Sequence, residues 1–383
     1  MGKRTRSPDL LLLSFVLLLV FFGVLILASV SASFSLQKTG SSLYYLNHQI
    51  LFGLVPGFFF GFLAYLLPLE KLRNWATPIF LFTVICLGAV FIPGIGESSG
   101  GASRWINLRL FSFQPSELLK LSFILYVAAL LSAKGENSEE RTLQKKSRGG
   151  LLTRVAHGME MLAPFIFSVG LVSFLLIAQP DIGTLTIIAA ISGVMYFCAK
   201  TPLWHTIALG GLGVAALFLL IHLAPYRFDR LAVFLNPDLD PLGKGYQLKQ
   251  AFISIGSGGL FGRGLGLSVQ KFGFLPQPMS DSIFAVFAEE AGFFGSLLLV
   301  LLFLAFAWRS LVLSKQIKDQ FAMLLMVGIA SWIALQALVN IGALSGLLPL
   351  TGIPLPFISY GGSALVSELI AMGILLNISS RRT

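Results

Sequence analysis

Leu10-Leu11-Leu12-Leu13-Ser14-Phe15-Val16-Leu17-Leu18-Leu19-Val20-Phe21-Phe22-Gly23-Val24-Leu25-Ile26-Leu27-Ala28-Ser29-Val30 contains no charged side chain. At 1.5 Å of rise per residue such a run is about 31 Å long, the thickness of a bilayer's hydrocarbon core. It follows Lys3, Arg4 and Arg6, as a secretory leader would, but it exceeds the roughly 7–15 apolar residues of a leader's core. It therefore reads as a retained first span. The rest of the chain agrees with that reading: of 383 residues 56% are hydrophobic and 11% charged, and the mean hydropathy is +0.84. A soluble domain carries roughly a quarter charged residues, so a soluble enzyme, a disordered regulator and a nucleic-acid-binding module are all excluded.

Runs of similar length place ten spans near 10–32, 47–67, 75–92, 115–133, 160–178, 182–198, 203–224, 282–307, 320–345 and 358–379. The predicted fold is an all-α polytopic membrane protein, a single domain over 1–383. Basic residues orient it, because cytoplasmic loops are enriched in Lys and Arg. With the N-terminus inside, the inner segments hold Lys71 and Arg73, six basic residues between Lys134 and Arg154, Lys200, Arg309, Lys315, Lys318, Arg381 and Arg382. The short outer loops hold Lys38, Arg104 and Arg109. Both termini are then cytoplasmic. An outer loop spans 93–114, an inner loop 134–158, and a large extracytoplasmic loop 225–281 joins helices 7 and 8. The inner loop reads as a solvated linker near anionic headgroups, and the large loop as a partly helical element lying on the membrane. Cys86 and Cys198 sit apart in apolar runs and match no metal or redox spacing.

Ionisable residues at membrane depth are costly and point to function. Glu117 and Lys120 are three apart, on one helical face, where they can neutralise each other or line a polar cavity. Asp181 suits a helix cap. Asp281 ends the large loop in Phe274-Leu275-Pro276-Gln277-Pro278-Met279-Ser280-Asp281; it can cap the next helix, or act as a general base whose pKa is raised at the mouth of an apolar site. Glu289 and Glu290 are adjacent, so at least one must turn into the bundle, and Glu368 lies inside the last span. The glycine string Gly256 to Gly266 lacks the βαβ context of a dinucleotide fold and suggests close backbone packing. The outer basic residues Arg104, Arg109, Arg227, Arg230, Lys244, Lys249, Arg263 and Lys271 exceed what orientation requires. Guanidinium groups bind phosphates bidentately, so a lipid diphosphate headgroup is a sensible ligand. His48, His157, His205 and His222 have no metal-ligand spacing.

Gly101-Ala102-Ser103-Arg104-Trp105-Ile106-Asn107-Leu108 and Phe113-Gln114-Pro115-Ser116-Glu117-Leu118-Leu119-Lys120 resemble motifs of the FtsW/RodA (SEDS) peptidoglycan polymerases. So do Gln179-Pro180-Asp181-Ile182-Gly183-Thr184, Gly245-Tyr246-Gln247, and Pro354-Leu355-Pro356-Phe357-Ile358-Ser359-Tyr360-Gly361-Gly362-Ser363. The stretch Gly264 to Lys271 and the ending Gly373 to Ser379 look more like the division branch, FtsW, than the elongation branch. The resemblance implies a glycosyltransferase that polymerises lipid II outside the cytoplasmic membrane, releases undecaprenyl diphosphate and acts at the septum. It matches Asp281 to the family's essential acid, Glu117 and Lys120 to its charged pair, and Arg104 to its loop arginine. Around Asp281 this chain departs from the family's Leu-Pro-Glu-x-His-Thr-Asp, with Gln277, Met279 and Ser280 in place of Glu, His and Thr.

On this reading Asp281 is catalytic, and Arg104, Glu117, Lys120, Arg263 and Lys271 bind substrate. Metal dependence stays open, with a divalent cation (magnesium or manganese) as one aid to the leaving diphosphate. The implied partners are lipid II, membrane lipids, a class B penicillin-binding protein and other division proteins, with no nucleic acid. A lipid II flippase and a non-catalytic division scaffold are the rival readings.

Overall fold

The computed structural model describes residues 7–99, 102–107, 112–145, 151–199, 201, 203–223 and 232–381. Helix α1 (Leu10–Thr39) begins where the Asp9 carboxylate accepts the Leu12 N–H and stops at Gly40, whose φ of 75° lies in the left-handed region. Helix α2 (Tyr44–Leu66) contains a π-helical turn at Ile50–Leu54. Helices α3 (Leu69–Ala89), α4 (Pro115–Lys145), α5 (Leu151–Ala178), α6 (Ile182–Cys198) and α7 (Leu203–Leu223) follow. Helix α8 (Lys244–Ser257) lies within the large loop, and α9 (Ile283–Ser314), α10 (Gln320–Leu344) and α11 (Gly362–Ser379) complete the chain. Among the described residues seven helices are long and apolar enough to cross a membrane, and α6 and the Leu162–Ala178 part of α5 are shorter apolar helices. The chain is an all-α polytopic membrane protein, with three departures from the sequence reading.

The first departure is a small sheet. In the segment 93–114, strands β1 (Gly96–Ser99), β2 (Ala102–Asn107) and β3 (Ser112–Phe113) pair antiparallel in that order. The second is the inner loop 134–158, expected as a linker. There α4 runs on to Lys145 and α5 starts at Leu151. Glu, Lys, Arg, Gln and Leu are strong helix formers, so a charged stretch rich in them extends the span's helix instead of ending it. The last span also starts later than expected: Ile358 to Gly361 are irregular, and α11 begins at Gly362.

Burial separates core from periphery. The apolar windows of α4, α10 and α11 are 72%, 67% and 72% buried, against 28% to 39% for α1, α2, α3 and α9. Helices α2 and α11 cross at backbone contact, since a Cβ on Gly373 would stand 1.9 Å from the Gly61 carbonyl oxygen. Small residues at such crossings let membrane helices approach where no hydrophobic effect drives them together. Arg309 near the end of α9 grips Asp9 with two hydrogen bonds of 2.6 and 3.1 Å, and the Asp9 N–H donates to Ser379 Oγ. The start of α1 and the ends of α9 and α11 therefore meet at one end of the bundle.

Helix α9 is broken at Gly292, whose φ of 68° and ψ of −166° no helix contains. The glycine loop after α8 closes the gap. Arg263 and Gly264 donate N–H groups to the Glu289 and Glu290 carbonyls at 3.0 Å each, while Phe293 and Phe294 donate to Gly259 and Leu260. A Cβ on Gly292 would lie 2.2 Å from the Gly262 nitrogen, so only glycine permits the contact.

Candidate active site around Asp281

Asp281 lies on a turn before α9, not on the helix. The Ser280 and Ser282 N–H groups fold back to the Gln277 carbonyl, and Gln277 itself has φ 52°. Ser282 is the residue that precedes α9, and it makes no side-chain cap bond. The capping reading of Asp281 therefore lapses. Asp181, by contrast, does cap α6, accepting the Thr184 N–H at 3.2 Å and its hydroxyl at 2.8 Å.

Main-chain contacts fix the turn at three successive carbonyls. Tyr360 N–H donates to Met279 O at 2.8 Å, Ser359 Oγ to Ser280 O at 2.5 Å, and Asn340 Nδ2 to Asp281 O at 2.8 Å. None of these bonds uses the side chains of Gln277, Met279 or Ser280, so the backbone position of Asp281 does not depend on the residues where this chain departs from the family pattern. The carboxylate receives hydrogen bonds from Ser280 Oγ (3.2 Å to Oδ1) and from Gln247 of α8, whose Nε2 also reaches Ser282 Oγ at 3.0 Å. Burial pushes the Asp281 carboxyl above its ordinary pKa, and these hydrogen bonds pull against it without cancelling it. Its Oδ2 faces Gly352, where a Cβ would sit 3.6 Å away, and Gly352 is exposed. The carboxylate thus borders an opening.

The wall behind it is the irregular segment 349–361. Non-helical backbone survives at membrane depth only where protein satisfies its polar groups, and buried side chains do so here. Gln336 Nε2 donates to Pro354 O (2.9 Å) and Asn340 Nδ2 to Ile353 O (2.7 Å). The Phe357 N–H donates to Glu368 Oε2 (2.7 Å), and the Gly361 N–H to Gln49 Oε1 (3.0 Å). Gln336 and Asn340 were missed by a reading confined to ionisable residues. Their signal was a polar pair four apart in an otherwise apolar run, which puts both on one helix face.

Glu117 and Lys120 meet at 2.8 Å, both almost wholly buried. Lys120 Nζ also donates to Gln336 Oε1 at 2.8 Å and stands 5.2 Å from the Trp332 ring centre. Glu368 lies within electrostatic reach of both. Gln336 thus links the charged pair to the same segment that backs Asp281. Arg104 on β2 donates Nε to the Gln179 carbonyl at 3.3 Å and Nη2 to the Pro180 carbonyl. No carboxylate pairs with it among the described residues. Three residues on, Gly183 of α6 packs against Thr351 and Ile353, the neighbours of Gly352. Arg104 is thereby held at the same end of the bundle as Asp281.

The other two basic candidates are otherwise engaged. Lys271 is buried and pairs with Glu290 at 2.9 Å while donating to the Gly266 and Ser29 carbonyls. Arg263 pairs with Glu289 at 3.3 Å. Glu289 also accepts Ser268 Oγ and the N–H groups of Val269 and Gln270. Both glutamates turn inward and pin the loop that seals the α9 break. Lys249 pairs with Asp238 on the surface. Arg109, Arg227 and Arg230 lie outside the described residues, as do the side chains of His157 and His222. His48 meets the Tyr360 hydroxyl and His205 that of Tyr196, each at 2.9 Å. Among the described residues no three carboxylate, histidine or cysteine side chains gather to hold a metal.

Comparison with known proteins agrees with this architecture. The FtsW/RodA/SpoVE cell cycle protein family model matches residues 9–383. Stage V sporulation protein E of Bacillus subtilis is 38% identical over 382 residues, covering 99% of both chains. A probable peptidoglycan glycosyltransferase FtsW of a Geobacter species is 35% identical over 379 residues, covering 99% of this chain and 98% of its own. A solved structure of a peptidoglycan synthase complex that coordinates polymerization and crosslinking superposes with a TM-score of 0.75 at 26% identity, covering 97% and 98% of the two chains. A match that runs the length of the chain makes this protein a member of the FtsW/RodA/SpoVE family.

Proposed function

We propose that the chain is an inverting peptidoglycan glycosyltransferase that polymerises lipid II on the outer face of the cytoplasmic membrane during septal division. The observation that carries the reading is Asp281, a carboxylate on a turn clamped at three main-chain carbonyls, raised in pKa and bordering an opening. A base poised closer to neutrality both holds its charge and takes a proton more readily. Asp281 removes the proton from the 4-hydroxyl of the acceptor's GlcNAc. That oxygen attacks the anomeric carbon of the donor's MurNAc with inversion, and undecaprenyl diphosphate leaves with the bonding electrons. General-base assistance of this kind contributes typically about 10²–10⁴-fold. No step is routed through a metal.

Arg104 is the cation assigned to the diphosphate, because its described contacts are neutral carbonyls and leave its charge uncompensated. The buried Glu117–Lys120 pair shapes the polar wall through Gln336. Arg263 and Lys271 act on substrate indirectly, by holding the glycine loop against α9. The single domain has ten spans with both termini cytoplasmic, a topology supported by the meeting of Asp9, Arg309 and Ser379 at one end. The 225–281 loop lies outside, and the partner is a class B penicillin-binding protein that crosslinks the strands. Purified protein with labelled lipid II tests the reading: Asp281→Ala should form no glycan ladder, and a ladder at the wild-type rate would remove Asp281 from the mechanism.

A further inference from the structure

Asn340 is the point where three parts of the site are tied to one side chain. Its Nδ2 donates to Asp281 O at 2.8 Å and to Ile353 O at 2.7 Å. Those two carbonyls belong to the two backbone segments on either side of the Asp281 carboxylate, since Gly352 forms the facing wall. Asn340 is buried, and its Oδ1 has no hydrogen-bond partner among the described residues. The amide is therefore oriented by its donors alone, and its acceptor is left unsatisfied, a cost a side chain kept only for packing would not carry.

We infer that Asn340 is a positioning residue for the proposed base: it fixes the gap between the Asp281 carboxylate and the Gly352 wall by holding both backbones with one amide. The inference rests on the glycosyltransferase reading of Asp281. A rigid gap matters because displacement of a reacting group by about 1 Å can cost about 10²-fold in rate. It also controls hydration. The groups that face the carboxylate are the Asp281 backbone itself, the Ser280 hydroxyl from the same turn, the Gln247 amide from α8 and the backbone of Ser282 just before α9; α10 and the 349–361 segment present no titratable side chain to it among the described residues. A loosened gap admits water, which returns the carboxyl toward its ordinary range.

Asn340→Leu tests this, because leucine keeps the branched shape of the side chain and removes the amide from an apolar helix. With lipid II as substrate, kcat should fall about 10²-fold, KM should change less than about threefold, and the acidic limb of kcat should move to lower pH. Asn340→Ala, which leaves room for a water to bridge the two carbonyls, should lie between Asn340→Leu and the wild type. Wild-type kcat and an unmoved limb in Asn340→Leu overturn the proposal. So does a loss of rate with an unmoved limb, or aggregation of both variants, either of which assigns Asn340 to the fold alone. Asp281→Asn, run in parallel, separates the two claims: if it still polymerises lipid II, the base reading fails, whereas an inactive Asp281→Asn beside an unaffected Asn340→Leu sinks only the role of Asn340.

Discussion

Lys120 and Gln336 meet in the middle of the bundle, the ammonium donating to the amide oxygen at 2.8 Å. Trp332 Nε1 shares that oxygen at 2.8 Å, and the other end of the amide holds Pro354 O. One glutamine therefore joins the Glu117–Lys120 pair on α4 to the irregular segment that backs Asp281.

Removing Lys120 should expose the cost of that burial. Lys120→Met leaves Glu117 charged at almost complete burial, and breaking such a pair costs about 3–5 kcal/mol. The double variant Glu117→Gln with Lys120→Met should recover most of that stability, since replacing both members of a buried pair is often close to neutral. Thermal unfolding in detergent checks both. Equal Tm values for wild type and Lys120→Met would contradict the buried pair.

The raised pKa of Asp281 sets a pH dependence. The proposed base acts as carboxylate, so activity should be present above its pKa and be lost as pH falls through it, at higher pH than an ordinary aspartate would allow. Gln247 and Ser280 hydrogen-bond the charged form. Gln247→Ala and Ser280→Ala should therefore raise the pKa further and move the acidic limb of kcat upward. A downward shift in either variant would reverse the assigned cause.

Arg104 should govern binding more than turnover. Arg104→Ala is expected to raise KM for lipid II about tenfold or more, the worth of one lost charged hydrogen bond. Arg104→Lys should restore little, because an ammonium cannot grip a diphosphate bidentately. Unchanged KM in Arg104→Ala would remove it from the diphosphate site.

Lys271 and Glu290 allow a cleaner separation of anchor from ligand. If Lys271 only holds the loop, Lys271→Met should impair activity and the double variant Lys271→Met with Glu290→Gln should regain a substantial part of it. Were Lys271 a ligand of the diphosphate, the double variant would keep a raised KM.

Gly292→Ala should be among the most damaging small changes. Alanine at φ 68° and ψ −166°, a region essentially reserved for glycine, costs about 1–3 kcal/mol from conformation alone, and its methyl would collide with the Gly262 nitrogen. A lowered Tm together with faster proteolysis of the 258–272 segment is the expected result; a Tm within error of wild type would show that the loop can yield.

Much of this site was readable in the chain because its signals are local. Hydropathy marks the spans, the three-residue spacing of Glu117 and Lys120 predicts their contact, and Asp281 stands out as an acid between a loop and an apolar run. The strands at 96–113 were not legible, since strands of two to six residues carry too short an alternation to read. The break in α9 was equally hidden. Gly292 lies in an apolar stretch that satisfies every helical criterion, and what opens the helix there is the distant loop at 259–264, which takes over its hydrogen bonds.

The sequence by itself determined that this is a membrane protein of many spans and which few acids lie in its apolar runs, because hydropathy and spacing along one helix are properties of consecutive residues. Tertiary structure alone decided which charges are spent. Lys271 and Arg263 read as free cations until Glu290 and Glu289 were found against them, whereas Arg104 kept only carbonyl partners. Likewise the turn that carries Asp281 became a clamped one only when Asn340, Ser359 and Tyr360, brought in from α10 and the segment after it, took hold of it. Neutralisation and desolvation act through space over a few ångströms, between groups the chain keeps far apart.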